Sequence, residues 1–273
     1  MLPRVLPWRL ARPILEFLER RQAEAGMAHE WEMIAASLDR LGAVPGAASE
    51  FTRGPGFHCD RNLIRLADHL LSESKAFIET GSYVGFTTYH VGARYGGLPV
   101  FSCDVDPSAL KIARRQCRAH ACTRIDEVGS PDFLYRLFEA QPDLASGCCT
   151  FWLDAHWGED WILDKEIEFL TRTIATGFIM IDDFKIPGRP EFRFDSYNGT
   201  DCDLELIRPA LAPGKDYSLV TPTYDLVSSG LTNISGTEVT GGLTGAVALV
   251  VGHPDFELPA DLVDSYAVTN LSA

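Results

Sequence analysis

The order in which apolar and amphipathic stretches follow one another constrains this chain most. From Ala76 onward, short apolar runs of strand length alternate with longer stretches of helical periodicity. This alternation is typical of a parallel sheet wrapped by helices. The predicted strands are Ala76–Glu79, Pro99–Asp104, Arg124–Val128, Thr150–Asp154, Gly177–Asp182, Tyr217–Pro222 and Gly245–Val251. Helices are predicted near residues 85–95, 107–120, 131–140, 160–173 and 203–211.

Helices are also predicted before this alternation begins. Apolar spacing indicates two amphipathic helices between Pro13 and Gly42, and a further helix over residues 63–71. At the other end, the polar stretch 225–243 has no helical period, so we expect the two strands it joins to pair antiparallel. We therefore predict a Rossmann-like α/β fold with a seven-stranded, mostly parallel sheet, helices on both faces and an antiparallel C-terminal hairpin. An N-terminal helical extension (1–58) would precede this domain (59–273).

The charge of the chain limits its partners. Its 273 residues carry 24 Lys and Arg against 38 Asp and Glu, a net charge of −14. Because such a surface repels phosphate backbones, nucleic acid is not an expected partner. The excess is uneven, since residues 51–150 carry 11 side chains of each sign whereas 151–206 carry 13 acidic and 5 basic ones. The acidic part of the chain therefore follows the fourth predicted strand.

Seven cysteines occur without a CxxC pair, which indicates neither a disulfide framework nor a zinc site. We therefore predict a reducing, cytoplasmic environment. No apolar run of about 18 residues is present that could span a bilayer, so a membrane is not an expected partner.

The ends of the first three predicted strands carry residues suited to a nucleoside. After Glu79, Gly81 and Gly85 allow a tight turn into a helix whose first N–H groups can meet an anionic or polar ligand. Asp104 ends the second strand, where a carboxylate can accept both ribose hydroxyls, and Ser130 follows the third. The glycine spacing is not the G-x-G-x-x-G fingerprint, which disfavours NAD and FAD.

At ETGSYVGFTT and CDVDP, within residues 60–185, the chain resembles the class I S-adenosylmethionine-dependent methyltransferases. More narrowly, it is similar to the O-methyltransferases of the catechol, sugar and macrolide types. The resemblance implies an enzyme with S-adenosylmethionine as cofactor, Asp104 at its ribose and Ser130 at its adenine. The residues implied around the methionine end are Glu79, Gly81, Tyr83, Gly85 and Thr87, and Ser82 is also counted as cofactor-binding.

Three acidic residues follow the fourth and fifth predicted strands. Asp154 ends one apolar run, and Asp182 with Asp183 ends the next. Adjacent parallel strands would bring the three carboxylates together, where they repel each other unless a cation is present. Oxygen ligands of this kind suit Mg²⁺, Mn²⁺ or Ca²⁺, and in the resembling families acids at these strand ends bind a divalent metal. The alternative is that Asp182 and Asp183 only cap the following turn.

His156 follows Asp154 by two residues and is the predicted catalytic base, and Asp154 is also counted as catalytic. A neutral imidazole at this position can accept a proton from a substrate hydroxyl. The alternatives are that it stacks on the adenine or supports the metal. The next segment, 184–197, is rich in aromatic residues and proline without a clear period, which predicts a loop covering the substrate.

These observations predict an S-adenosylmethionine-dependent O-methyltransferase that acts on a hydroxyl of a small molecule and is assisted by a divalent cation, Mg²⁺. Two alternatives stay open: a metal-independent methyltransferase, and a non-catalytic nucleoside-binding or partner domain. The acceptor is not identified, and a homo-oligomer is left open.

Overall fold

The computed structural model describes residues 56–156, 161–225 and 244–271. The predicted N-terminal extension as far as residue 55, and almost all of the predicted loop 225–243, lie outside these ranges. The strands are β1 (Phe77–Thr80), β2 (Val100–Asp104), β3 (Thr123–Glu127), β4 (Cys149–Leu153), β5 (Gly177–Ile181), β6 (Ser196–Tyr197), β7 (Thr200–Asp201), β8 (Tyr217–Pro222), β9 (Val247–Val251) and β10 (Tyr266–Leu271).

The helices fill the intervals between these strands. The α-helices are α1 (Arg61–Ser72), α2 (Phe86–Arg94), α3 (Pro107–Cys117), α4 (Ser130–Ala140), α5 (Leu163–Thr173) and α6 (Leu204–Ile207), with 3-10 turns at Phe57–Cys59, Pro142–Leu144 and Arg208–Ala210. The best local signal is at α3, where Asp106 accepts hydrogen bonds from the Ser108 and Ala109 N–H groups and Pro107 occupies the first turn. No helix among the described residues is long and apolar enough to cross a membrane.

The main sheet has eight strands in the order β10-β8-β9-β5-β4-β1-β2-β3. Strands β1 to β5 are parallel, whereas β9 pairs antiparallel with β5, and β8 antiparallel with β9. The predicted α/β class, the parallel sheet and the antiparallel C-terminal hairpin are therefore confirmed. The strands β1, β4, β5 and β9 are buried along their whole length, which explains why they appear in the sequence as apolar runs and not as alternating patterns.

The predicted strand count was one too low, because the eighth strand, β10, was missed. It pairs antiparallel with β8 along six residues and forms one edge of the sheet. Only its two end residues, Tyr266 and Leu271, are buried. Its sequence is therefore neither an apolar run nor a regular alternation, and it gives no strand signal.

The course of the chain determines where a ligand can enter. From β1 it proceeds outward to β2 and β3, then returns to form β4 on the other side of β1. At such a reversal the two connecting helices lie on opposite faces, and a crevice opens beyond the carboxyl ends of the strands. The predicted site residues follow the ends of β1, β2, β3, β4 and β5, so they are distributed along this edge.

Candidate functional site

The turn after β1 depends on its two glycines. Gly81 and Gly85 both have a φ of +84°, a conformation that L-residues with a Cβ rarely adopt. A Cβ at Gly81 would overlap the carbonyl oxygen of Asp154 and lie 2.8 Å from the nitrogen of Ala155. At Gly85 it would lie 2.8 Å from the Cβ of Ala113. The turn is therefore held directly against the segment that follows β4 and against α3.

Glu79 lies beneath this turn and is almost completely buried. Its Oε2 accepts hydrogen bonds from the hydroxyls of Ser102, at 2.6 Å, and Thr88. Burial raises the pKa of Glu79 to about 7, although both hydrogen bonds oppose this by favouring the ionised form. Glu79 therefore connects β1 with β2 and α2, directly below the predicted methionine position.

Asp104 joins the end of β2 to the glycine turn. Its Oδ2 accepts the N–H of Tyr83 at 2.6 Å, and its Oδ1 accepts the N–H of Asp106 at 2.9 Å. Tyr83 itself has a φ of +46° and is 48% exposed. Because each carboxylate oxygen can accept a second hydrogen bond, Asp104 retains acceptor capacity for a ligand with two hydroxyls. The structure thus brings the predicted ribose acid and the turn into one edge of the crevice.

The other predicted cofactor residues have different surroundings. The hydroxyls of Ser82 and Ser130 are buried and make no hydrogen bond of good geometry among the described residues. Thr87, in contrast, accepts the N–H of Phe57 at 3.2 Å, so its hydroxyl also anchors the segment before α1.

Glu166 was not predicted from the sequence, yet it is fully buried on α5. Neither carboxylate oxygen has a hydrogen-bond partner with good geometry among the described residues. Burial raises the pKa of Glu166 to about 7, and the nearby hydroxyls of Ser130 and Thr80 offset this only in part. Its acidic residue type on an otherwise buried helix face is a weak sequence signal, because acids also occur on exposed faces.

We expect Glu166 to make stability fall as pH rises. A pKa near 7 in the folded chain and 4.5 in the unfolded chain gives stability that is complete below pH 4.5 and is lost as pH rises through 7. The free energy of unfolding of the wild type should therefore fall when the pH is raised from 5.5 to 8.5, both above the isoelectric point, and that of Glu166→Gln should not fall for this reason. Over this pH range the variant should become more stable relative to the wild type by about 2 kcal/mol. Urea unfolding at both pH values measures this. Glu168→Gln, on the exposed side of α5, is the control and should show no such gain; an equal gain there would contradict the assignment.

A cluster of three side chains lies at the ends of β4 and β5. One potential ligand atom from each of Asp154, His156 and Asp183 lies within 4.8 Å of the others, and we call these residues the triad. The side chain of His156 is 1% exposed, and that of Asp183 is 22% exposed. The structure therefore brings two of the three predicted metal acids together with the predicted base.

Burial and neighbouring carboxylates disfavour the ionised form of both acids of the triad. Burial raises the pKa of Asp154 well above its usual range, and the charges of Asp182 and Asp183 add to this. Burial likewise raises the pKa of Asp183 to about 7, with Asp182 as the next cause. For His156, burial lowers the pKa, against the opposing influence of the Asp182 and Asp195 carboxylates, so the imidazole is neutral. Two crowded carboxylates beside a neutral imidazole are a suitable environment for a cation.

Asp182 lies near the triad but is not one of its members. Its Oδ2 is 2.5 Å from Nε2 of His58, and its Oδ1 accepts the N–H of Asp183 and the hydroxyl of Thr244. Burial favours the neutral carboxyl, but the charge and hydrogen bond of His58 outweigh it and hold the pKa of Asp182 below its usual value. Asp182 in turn raises the pKa of His58 to about 9. Its carboxylate is therefore engaged with His58, a residue that no sequence motif indicates.

The short hairpin formed by β6 and β7 contacts the main chain at His156. The hydroxyl of Tyr197 in β6 lies within hydrogen-bond distance of two acceptors, the His156 carbonyl at 2.8 Å and the Asp195 carboxylate, and can donate its one proton to either. The ring of Trp161 lies 4.7 Å from that of Tyr197 and 5.7 Å from the His156 imidazole.

In the predicted covering segment 184–197, the side chains of Phe184, Ile186 and Phe192 belong to the core. Only the end of that segment reaches the site.

A cavity of about 790 Å³ lies beside the hairpin, between α5 and α6. Five of its eleven lining residues are acidic, and none of the predicted site residues contributes to it. Its polar side chains include Asp164, Glu168, Lys185, Asp201, Asp203 and Glu205.

Comparison with known proteins gives similarities of fold only. No family model and no curated protein matches the sequence. Among solved structures, the O-methyltransferase from Bacillus cereus in complex with SAH is 14% identical, with a TM-score of 0.46 and coverage of 79% of this chain and 90% of that one. TrmN from Thermus thermophilus is 16% identical, with a TM-score of 0.41. The match covers 70% of this chain and 48% of that one, so this chain spans about half of the length of TrmN. An rRNA methylase from Streptococcus thermophilus is 12% identical, with a TM-score of 0.41 and coverage of 69% of this chain and 95% of that one. All three TM-scores are below 0.5, so any function has to stand on the residues of the chain itself.

Proposed function

We propose that this protein is an S-adenosylmethionine-dependent O-methyltransferase that acts on a hydroxyl of a small molecule with the help of a divalent cation. The observation that carries the proposal is the contact between Gly81 and the main chain of Asp154. Through it, the turn suited to the methionine end of the cofactor and the segment bearing the triad share one wall of the crevice. A methyl donor bound at the turn would therefore lie beside the triad.

The chemistry requires few groups from the protein. The acceptor oxygen attacks the sulfonium methyl carbon, the carbon–sulfur bond breaks with its electron pair on sulfur, and the hydroxyl proton must leave. Because the methyl group is already activated, the chain has to hold the acceptor in line and provide for that proton. The neutral His156 imidazole can accept a proton or bind a cation. A divalent cation, when bound, lowers the pKa of the acceptor hydroxyl.

The acceptor is proposed to be small and uncharged or cationic. The stretch 151–206 carries the whole triad and an excess of eight acidic charges, which disfavours a polyanion such as RNA.

Two alternative functions would give different experimental results. A metal-independent methyltransferase would keep its activity in EDTA, and a non-catalytic nucleoside-binding domain would bind the cofactor without turnover. A homo-oligomer and a cytoplasmic location stay predictions.

The direct test is a thermal shift with S-adenosylmethionine or its demethylated product against NAD, each with Mg²⁺ or EDTA. We expect both sulfur nucleosides to raise the melting temperature, and NAD to leave it unchanged. If neither nucleoside stabilises the chain, the proposed function is wrong.

Asp104→Asn tests the ribose position. The amide keeps one acceptor oxygen but cannot accept two hydroxyls while it holds the Tyr83 and Asp106 N–H groups. We expect cofactor affinity in calorimetry to fall by about tenfold or more, equivalent to about 1.4 kcal/mol. Asp126→Asn, a half-buried acid paired with Arg124 on β3, is the matched control. Equal affinities for both variants would refute the role of Asp104.

A further inference from the structure

The conformation of Asp183 separates the two consecutive acids that follow β5. The Asp182 N–H still bonds to the Leu153 carbonyl, at 3.1 Å, and so continues the pairing between β4 and β5. Asp183 leaves the strand with a φ of +51°. The two carboxylates consequently have different partners, and only that of Asp183 joins Asp154 and His156.

The carboxylate of Asp182 is occupied on both oxygens. It is 1% exposed and has the His58 imidazole on one oxygen and two hydrogen-bond donors on the other. A cation bound by Asp182 would have to displace His58 or share an oxygen with it. The charge of Asp182 is thus already balanced by a neighbour on the protein.

His156 differs from Asp182 in this respect. Its side chain is 1% exposed, yet neither ring nitrogen makes a hydrogen bond of good geometry among the described residues, and only the main chain of Asp182 approaches the ring as a hydrogen-bonding group. Its Nε2 is 3.9 Å from Oδ2 of Asp183, so the ring is aimed into the triad. A buried polar nitrogen without a partner is costly unless something else satisfies it, and a metal ion in the triad would do so.

We propose that Asp154, His156 and Asp183, without Asp182, form a metal site with one imidazole ligand that prefers a divalent first-row transition ion to Mg²⁺. This assignment deepens the proposed function and rests on it only for the role of the metal. Imidazole nitrogen suits transition ions, whereas Mg²⁺ favours oxygen and water. In this arrangement His156 is a ligand, and so is not the proton acceptor.

The dimensions of the triad fit such an ion after a small movement. Ligands about 2.1 Å from an ion lie at most about 4.2 Å apart across it. The ligand atoms of the triad lie up to 4.8 Å apart, which is slightly more. Rotation of their side chains is therefore enough to bring all three atoms to the ion, and β4 and β5 need not move. The two carboxylates supply the two negative charges that a divalent cation requires.

The test uses the full chain, stripped of metal with EDTA, and Mn²⁺ alone as the probe. Pulsed electron paramagnetic resonance of bound Mn²⁺ should detect a coupled ¹⁴N nucleus, and Mn²⁺ should bind at least about tenfold more tightly than Mg²⁺ in competition. His156→Gln should remove the nitrogen coupling and weaken Mn²⁺ binding by about tenfold or more. Circular dichroism confirms that this variant is folded.

Two further variants separate the ligands from their neighbours. Asp182→Asn and His58→Asn should both keep the nitrogen coupling and bind Mn²⁺ within about threefold of the wild type. The inference is overturned if the wild type binds no Mn²⁺ at millimolar concentration or binds it without nitrogen coupling. It also fails if the coupling disappears in His58→Asn, or if Asp182→Asn abolishes binding.

Cofactor calorimetry on the same samples keeps this inference distinct from the proposed function. A chain that binds Mn²⁺ through nitrogen but does not bind S-adenosylmethionine refutes the proposed function and leaves the metal site intact. A chain that binds the cofactor but holds no nitrogen-bound metal refutes the metal site and leaves the proposed function intact.

Discussion

Replacement of Gly81 by alanine should destabilise the fold by about 3 kcal/mol or more and abolish detectable binding of S-adenosylmethionine. The left-handed conformation at φ +84° costs an L-residue about 1–2 kcal/mol, and the new methyl group would also overlap the Asp154 carbonyl. Relief of that overlap requires β1 and β4 to separate at their ends, where the cofactor is proposed to bind. Urea unfolding and calorimetry measure the two effects.

Gly97→Ala is the matched control for this substitution. Gly97 lies outside the left-handed region, and a Cβ there would have no atom within 4 Å. We expect its stability within about 0.5 kcal/mol of the wild type and its cofactor affinity unchanged. If Gly81→Ala behaved in the same way, the contact that carries the proposed function would be absent in solution.

Asp154→Asn should lower kcat on the order of a thousandfold, equivalent to about 4 kcal/mol of transition-state stabilisation. The amide carries no charge, so the triad would lose half of the negative charge available to a cation. The contact with Gly81 involves only the main chain of Asp154, so cofactor affinity should stay within about twofold. Steady-state kinetics with a hydroxyl acceptor test the effect on kcat, and calorimetry with S-adenosylmethionine tests the effect on cofactor affinity.

The control for Asp154→Asn is Asp201→Asn, which removes an acid of the hairpin that pairs with Lys185 outside the triad. This variant should keep kcat within about threefold. Full activity of Asp154→Asn would exclude a catalytic role for the triad, and a parallel loss of cofactor binding would indicate a structural effect.

Most of the fold was predictable because the central strands of the sheet are buried on both faces. Strands such as β4 and β5 have no solvent side, so their sequences are apolar throughout and separate clearly from the amphipathic helices. Several less buried elements were missed, although β3, none of whose residues is buried, was predicted. The strand β10 and the two-residue strands β6 and β7 are too exposed or too short for a periodic signal.

The site was predictable only where strand order decides proximity. Parallel strands β4 and β5 are neighbours, so acids that follow them were expected to meet, and Asp154 and Asp183 do. The partner of Asp182 was not predictable, because His58 lies 124 residues earlier in the chain and has no motif around it. The positive φ of Asp183 turns its carboxylate toward Asp154 and His156 and away from His58, and no local sequence pattern encodes that conformation.

The edge strand β10 has a consequence for the solubility of the chain. It pairs along the full length of β8, whose residues are mostly buried, and presents four exposed side chains to the outside. Without it, the hydrogen-bonding edge of an apolar strand would be open to strands of other molecules, which is a common route to aggregation. The strand β10 thus covers the edge of the mostly buried β8 with a strand whose side chains are mostly exposed, and shortened or tagged forms of the protein should preserve residues 266–271.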